Sequence, residues 1–273
     1  MEARIVESAD VASRQGNILG IVRNRIVEPA DRDIAWCIQL YQSHPAACLQ
    51  HLRTHYPDSR VVLLVDGDHG NLARYAELAD EFRAELEGGE HLMAFSTSHL
   101  YVERLLRQAL RGNERFFFRI DPDTRIWRRF HWLPDLACAF GTLETVSEAL
   151  KDRIRHPPNI QGGCIGLTRE VVERVLESGV LSHQRCVVEA RAGWVRCADC
   201  EHVAGRGSML DDYVLSWAVD AAGFPVVQHP EIGSYWRRAV PNDALKFAVT
   251  HPHKEMEAQG RSRDASRDAA VAE

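Results

Sequence analysis

Short apolar runs alternate with stretches of helical periodicity over the first 120 residues, and this alternation restricts the fold more than any other feature. Strands that alternate with helices favour a largely parallel sheet, covered on both faces and connected by right-handed crossovers. We therefore predict an α/β fold with a mostly parallel sheet flanked by helices. The predicted strands are residues 18–27, 60–65, 91–95 and 115–120, and the predicted helices are residues 31–55, 72–86 and 99–110.

The second half of the chain adds two helices with clear boundary signals. Thr168 opens the first helix, directly after a glycine-rich segment at residues 162–166. Asp211 and Asp212 open the second, and Gly223 ends it. Residues 225–228 form a late predicted strand.

Composition indicates one ordinary globular domain, which we place at residues 1–254. The chain has 273 residues, of which 45% are hydrophobic and 26% are charged. Residues 255–273 contain Arg, Asp, Ala, Ser and Glu but no aromatic residue, which predicts a disordered tail. The formal net charge of -6 argues against binding to duplex nucleic acid.

The expected compartment is the cytoplasm. No uncharged apolar stretch approaches the roughly 20 residues that span a bilayer, and the start of the chain lacks the apolar segment of a signal peptide. The seven cysteines are an odd number and scattered, which suits reduced thiols better than a disulfide framework.

Two carboxylates, Asp121 and Asp123, directly follow the predicted strand at residues 115–120. Carboxylates at this spacing can hold Mn²⁺ or Mg²⁺ while the cation bridges the phosphates of a diphosphate. The alternative is that Asp-Pro-Asp-Thr is only a turn, because Asp and Pro are favoured there for local reasons. In parallel sheets ligands bind beyond the carboxyl ends of the strands, where Arg23 and Asp66 are also expected.

Four residues near position 200 could hold a structural Zn²⁺ tetrahedrally. They are Cys186, Cys197, Cys200 and His202. Only one Cys-x-x-Cys pair is present, and His202 is close to Cys200, so reduced thiols in a loop are the alternative. A zinc deaminase is excluded because the required His-x-Glu or Cys-x-Glu and Pro-Cys spacings are missing.

Aromatic and basic residues are concentrated between Trp127 and Trp132. Aromatic faces stack on sugars or bases, so this stretch could form an acceptor platform. Buried tryptophans with flanking solvated arginines are the alternative.

The order of these motifs resembles that of GT-A glycosyltransferases, and the second half is similar to the Fringe and β-1,3-glycosyltransferase branch. The resemblance covers roughly residues 17–254 and rests on pattern and order. Its matching pieces are the Asp-x-Asp motif at Asp121 and Asp123, the glycine-rich segment from Gly162 to Glu170, the acidic pair Asp211-Asp212 and the late histidine His251 or His253.

The resemblance implies a metal and donor site. Asp123 would be the principal metal ligand, Asp121 would contact the metal, its water or the donor ribose, and His251 would complete the coordination, with His253 as the alternative. Asp66 and Arg23 would hold the nucleotide, unless they form a surface pair at strand ends. Gly162 and Gly163 would let the backbone approach the donor sugar, unless they only make a tight strand bend.

An inverting transferase needs a carboxylate that takes the proton of the acceptor hydroxyl, and we assign this role to Asp212. In the alternative of a retaining enzyme, Asp212 would instead position the substrate. Asp211 would be a helix cap or an acceptor contact. The expected function is transfer of a sugar from a nucleotide-diphosphate donor, UDP-linked, to an unidentified hydroxyl acceptor. Two alternatives remain: a sugar-phosphate nucleotidyltransferase, whose Gly-rich basic loop is missing after the first predicted strand, and a non-catalytic, zinc-stabilised binding module.

Overall fold

A seven-stranded β-sheet lies at the centre of the fold. The computed structural model describes residues 25–92, 97–144, 159–182, 189–191, 194–196, 203–205, 210–234 and 246–251. The strands described are β1 (Arg25–Val27), β2 (Ile34–Leu40), β3 (Arg60–Asp66), β4 (Glu85–Gly89), β5 (Phe116–Ile120), β6 (Arg125–Ile126), β7 (Trp132–Pro134), β8 (Ala139–Glu144), β9 (Asn159–Thr168), β10 (Glu189–Arg191), β11 (Trp194–Arg196), β12 (Val203–Gly205), β13 (Val226–Gln228), β14 (Ile232–Ser234) and β15 (Val249–His251). The helices described are α1 (Ala46–His55), α2 (Leu72–Glu81), α3 (Ser98–Ala109), α4 (Arg169–Glu177) and α5 (Leu210–Ala221).

The central sheet is mixed and has the strand order β13-β8-β9-β5-β2-β3-β4. Strands β5, β2, β3 and β4 pair in parallel, and so do β13 and β8. Strand β9 runs antiparallel to both of its neighbours, β5 and β8. The carboxyl ends of β2, β3 and β5 therefore meet the amino end of β9 at one edge of the sheet.

Helices cover both faces of the sheet because its inner strands are apolar on both sides. Along β2, Trp36 and Ile38 pack into the core beneath α1 and α2. The intervening residues Ala35 and Cys37 pack into the second core, with α3, α4 and α5. The predicted α/β class with flanking helices is confirmed, and the antiparallel β9 makes the sheet mixed.

The described residues also form three small sheets. Strands β1 and β7 form an antiparallel pair, and β10, β11 and β12 form an antiparallel three-stranded sheet. In the third, β15 pairs in parallel with β14 and antiparallel with β6, which follows β5 closely in the chain. This third sheet brings the end of the described chain back to the edge of the central sheet.

The helix predicted at residues 31–55 is wrong in its first half, where Ile34–Leu40 is a strand and the helix begins only at Ala46. Of the strand predicted at residues 18–27, residues 18–24 lie outside the described part, and Arg25–Val27 is a strand of the small sheet with β7. The first strand of the central sheet is β2, which we predicted as part of a helix. Every residue of β2 is buried, so the segment lacks the alternation that identifies a half-exposed strand. Pairing with β3 and β5 decides its structure.

The third strand of the parallel half is also displaced from its prediction. Helix α2 ends at Glu81, and β4 occupies residues assigned to the end of the helix and the loop after it. Residues 91 and 92 are not in a strand, and residues 93–96 lie outside the described part. Because β4 is an edge strand, it tolerates exposed glutamates such as Glu85 and gives no apolar signal.

Six other predicted elements are confirmed. Strands β3, β5 and β13 and helices α3, α4 and α5 lie within two residues of their predicted positions at most boundaries. Thr168 is the residue before α4 and has extended backbone angles, as an N-cap requires. Gly223 follows α5 with φ of 86°, a left-handed conformation that glycine adopts without strain. Residues 255–273 lie outside the described part.

Candidate active site

Two carboxylates and one imidazole converge at the edge of the sheet where β5 ends. The Nε2 atom of His251 lies 3.1 Å from Oδ2 of Asp121 and 3.1 Å from Oδ1 of Asp123. One ligand atom from each of the three residues lies within 4.8 Å of the other two. Asp121 and His251 are buried, whereas the Asp123 side chain is 48% exposed. This triad could hold a metal ion with one side of the site open to a ligand.

The Asp-Pro-Asp-Thr segment is both a turn and the source of two triad members. The Thr124 N–H donates to the Asp121 carbonyl at 3.0 Å and closes the turn. The Thr124 hydroxyl donates to the Gly163 carbonyl at 2.8 Å, which attaches the turn to β9. The turn proposed as an alternative to the metal motif therefore directs both carboxylates toward His251.

His251 reaches the triad because β15 pairs with β14 beside the central sheet. Ser234 of β14 lies opposite His251, and its Oγ is 3.3 Å from Nδ1 of the imidazole. The Ser234 N–H in turn donates to Thr142 Oγ1 at 2.9 Å. A contact to the second ring nitrogen orients the ring and leaves Nε2 for the carboxylates.

The triad is strongly polarised without a metal ion. Burial opposes ionisation of Asp121, but Arg119 and His251 prevail and lower the pKa of Asp121 to about 2. Burial likewise opposes protonation of His251, but hydrogen bonds with Asp121 and Asp123 raise the pKa of His251 to about 9. At neutral pH an imidazolium therefore supplies the positive charge between the two carboxylates.

Arg119, a fully buried residue of β5, lies beneath these groups. Its Nη1 is 2.9 Å from Asp121 Oδ1 and also donates to the Gly162 carbonyl. Its Nη2 donates to Asp211 Oδ2 at 2.8 Å and to Gln39 Oε1 at 2.6 Å, and Nε donates to the same Gln39 oxygen at 2.9 Å. The surrounding carboxylates outweigh burial and raise the pKa of Arg119 well above its usual value, so it stays charged.

Our sequence predictions did not include Arg119, Gln39, Thr124 or Ser234. Arg119 has a recognisable signal, since it is a charged residue inside the apolar run Phe-Phe-Phe-Arg-Ile and precedes Asp121 by two positions. A charge in a buried strand requires a partner. Gln39, Thr124 and Ser234 give no comparable signal, because their roles depend on strand pairing.

Asp211 and Asp212 lie in the first turn of α5 and are both buried. Arg119 binds Asp211 directly, whereas its Nη1 is 3.8 Å from Asp212 Oδ1. The Oδ1 atoms of both aspartates have no hydrogen-bond partner among the described residues. Burial raises the pKa of Asp211 against the effect of Arg119, and burial together with the Asp211 charge raises the pKa of Asp212 well above its usual value.

Two adjacent glycines of β9 make room for the acidic groups. A Cβ atom on Gly162 would overlap the carboxylate of Asp212, and a Cβ atom on Gly163 would overlap the imidazole of His251. The register against β8 shifts at this point, since Gly141 pairs with Ile165 but Leu143 pairs with Ile160. Such a bulge redirects the backbone next to a site. The close approach thus accommodates the protein's own side chains, and contact of these glycines with a donor sugar stays a prediction.

Neither a family model nor a curated protein matches this chain. Among the described residues, no helix is long and apolar enough to cross a membrane.

Asp66 ends β3 at the same sheet edge, but its carboxylate binds other parts of the protein. Its Oδ1 accepts the Leu92 N–H at 2.8 Å and lies 3.1 Å from Arg104 Nη2, and its Oδ2 is 2.7 Å from His91 Nδ1. These contacts hold the segment after β4 against the end of β3. The predicted nucleotide contact of Asp66 is not tested by this arrangement.

Several other predicted site residues lie outside the described part of the chain. They are Arg23, His253 and the four candidate zinc ligands Cys186, Cys197, Cys200 and His202.

Residues of the aromatic and basic stretch from Trp127 to Trp132 contact other parts of the protein. Arg128 and His131 both bind Glu231, at 3.0 and 2.6 Å. The Trp132 ring packs on His229 with ring centres 4.5 Å apart. Trp127 and Trp132 are half-buried and Arg128 is ion-paired, so neither alternative is decided and the acceptor platform stays a prediction.

Proposed function

We propose that this chain is a metal-dependent, inverting glycosyltransferase of the GT-A type that uses a nucleotide-diphosphate sugar. The observation that carries the proposal is the triad of Asp121, Asp123 and His251, with the buried carboxylate of Asp212 near it. A divalent cation bound by the triad would stabilise the charge that develops on the leaving diphosphate.

The ligand set favours Mn²⁺ over Mg²⁺. Carboxylate oxygens suit both cations, but Mg²⁺ strongly prefers oxygen, and His251 supplies a nitrogen. The exposed side of Asp123 is where the phosphates of the donor would reach the cation.

The two aspartates of α5 have different surroundings, which supports Asp212 as the base. Asp211 is held by Arg119 at 2.8 Å, whereas the same guanidinium is 3.8 Å from Asp212 and makes no hydrogen bond to it. A raised pKa makes the Asp212 carboxylate a better proton acceptor once it is ionised. The acceptor hydroxyl would donate to Asp212 as its oxygen attacks the anomeric carbon.

The position of the site in the fold also supports the proposal. The triad lies beyond the carboxyl end of β5, at the edge of the parallel strands where α/β sheets bind their ligands. The order of strand, Asp-x-Asp turn, glycine-rich strand, helix and acidic helix start is that of the GT-A resemblance.

Metal and donor binding test the proposal directly. Calorimetric titration measures the Mn²⁺ affinity of the wild type, Asp123→Asn and Asp80→Asn. Thermal unfolding then measures how far UDP sugars stabilise each of the three proteins with and without Mn²⁺. Asp80 is an exposed residue of α2 and serves as the matched control. We expect Mn²⁺-dependent stabilisation by a UDP sugar in the wild type and the control, and its loss in Asp123→Asn.

Equal stabilisation of Asp123→Asn would contradict the proposed metal site. Pyrophosphate release from a nucleoside triphosphate and a sugar phosphate would instead indicate a nucleotidyltransferase. Bound zinc without nucleotide-sugar binding would indicate a binding module.

A further inference from the structure

We propose that Arg119 is a positioning residue that aligns the metal ligand Asp121 with the candidate base Asp212; this rests on the proposed function. The residue is fully buried, so it does not contact a ligand from solvent. Its guanidinium lies between β5, which leads to the metal triad, and α5, which carries the base. Any rotation of this one group therefore moves both halves of the site.

The guanidinium has five N–H donors in a fixed plane, and the contacts around Arg119 use all of them. Gln39 accepts two, the Gly162 carbonyl accepts one, and Asp121 and Asp211 take the remaining two. These partners belong to β2, β9, the turn after β5 and the start of α5. A lysine would keep the charge but could not hold all of these partners at once.

The ion pair with Arg119 restricts which oxygen of Asp121 a metal can use. Oδ1 of Asp121 binds Arg119, and Oδ2 faces His251. Without the guanidinium, Asp121 keeps its contact with His251 but loses the one that fixes Oδ1, so its carboxylate no longer has a single orientation toward the other two candidate ligands.

The same group makes the two aspartates of α5 unequal. Arg119 Nη2 holds Asp211 at 2.8 Å, whereas its Nη1 is 3.8 Å from Oδ1 of Asp212. Asp211 is thereby committed to the buried ion pair. Each aspartate has an Oδ1 without a hydrogen-bond partner among the described residues, but Asp212 is the one whose carboxylate receives no hydrogen bond from Arg119.

The test compares Arg119→Lys with Arg60→Lys. Arg60 is the first residue of β3, at the end of the strand away from the candidate site, and it binds Glu85 of β4. It is therefore a matched control, a partly buried arginine in an ion pair outside the site. We expect the folded Arg119→Lys protein to bind Mn²⁺ alone about tenfold more weakly or worse, as for other residues that orient metal ligands. At saturating Mn²⁺ and donor we also expect kcat for sugar transfer to fall at least about tenfold. Arg60→Lys should change neither quantity.

Gln39→Met gives a second variant if Arg119→Lys does not fold. It removes the acceptor of two Arg119 donors without altering a charge, so a smaller shift in the same direction is expected. Folded variants with wild-type Mn²⁺ affinity and kcat would overturn the positioning role. If the wild type binds Mn²⁺ but transfers no sugar, the proposed function fails while the Mn²⁺ affinities still decide the role of Arg119. Absence of Mn²⁺ binding by the wild type would overturn both.

Discussion

Two neighbouring glycines separate the metal half of the site from the acid–base half. The Cα of Gly163 lies against the His251 ring, and that of Gly162 lies against the Asp212 carboxylate. Each position leaves no space for a Cβ atom. A methyl group on one or the other therefore displaces one functional side chain and leaves the other in place.

We expect Gly163→Ala to raise the dissociation constant for Mn²⁺ by at least about tenfold, because it displaces a candidate ligand. Gly162→Ala should leave the Mn²⁺ dissociation constant close to that of the wild type and reduce kcat for sugar transfer. Calorimetric titration with Mn²⁺ and a transfer assay measure the two effects.

Gly70→Ala is the control for both glycine variants, since a Cβ atom there has no heavy atom within 4 Å. Identical behaviour of Gly162→Ala and Gly163→Ala would show that the two halves are not separable in this way.

An aromatic stack connects the central sheet with the segment between β6 and β7. Trp36 of β2 stacks on Phe118 of β5 with ring centres 4.5 Å apart, and Phe118 stacks on Phe130 at 5.2 Å. Phe130 is 1% exposed, and its backbone N–H donates to the Tyr56 hydroxyl. This stack holds Phe130 against the sheet, in addition to the ion pairs that Arg128 and His131 form with Glu231.

Phe130→Ala should lower the free energy of unfolding by about 3–5 kcal/mol, because it leaves a cavity in the stack. Urea denaturation measures this loss. Leu100→Ala on α3 is the control, since its side chain is 40% exposed and should cost less than about 1 kcal/mol. A loss of less than about 1 kcal/mol in Phe130→Ala would contradict the role of the Phe130 ring in holding this segment against the sheet.

Burial of ionisable groups is a property of the whole molecule, and His229 is a buried histidine whose surroundings favour its neutral form. The ring is enclosed by Phe130, Trp132 and Phe140. Its Nε2 lies 3.3 Å from the Trp132 carbonyl oxygen, and its Nδ1 accepts the Glu231 N–H at 3.2 Å. Both contacts fit a neutral imidazole with the proton on Nε2.

Burial lowers the pKa of His229 to about 4, against the opposing charge of Glu231. In the unfolded chain the His229 side chain takes up a proton near the ordinary histidine pKa of about 6.5. The contribution of neutral His229 to the free energy of unfolding is therefore complete above that pH and is lost as the pH falls toward 4. Relative to His229→Gln, the wild type should lose about 3 kcal/mol between pH 7 and pH 4.

Urea denaturation of the wild type and His229→Gln between pH 7 and pH 4 gives the difference in their free energies of unfolding. The contributions of the other titratable groups, which both proteins share, largely cancel in this difference. A pH-independent difference between wild type and His229→Gln would contradict the assignment of a neutral buried ring.

The sequence by itself determined the α/β class and most of the locally encoded elements. Strands β3 and β5 are visible as short apolar runs, α4 has its start at Thr168, and α5 has its stop at Gly223. It also determined that Asp121 and Asp123 lie together, because one turn holds both. These features depend on contacts between residues close in the chain.

Only the tertiary structure decided that Ile34–Leu40 is a strand and that Glu85–Gly89 is an edge strand. A fully buried run and a polar edge both lack period-two alternation, so strand pairing settles them. The tertiary structure also brought Asp212 and His251 to Asp121, and identified Arg119 as the buried cation between them. A buried charge requires partners, and those partners come from distant strands and a helix that only folding brings together.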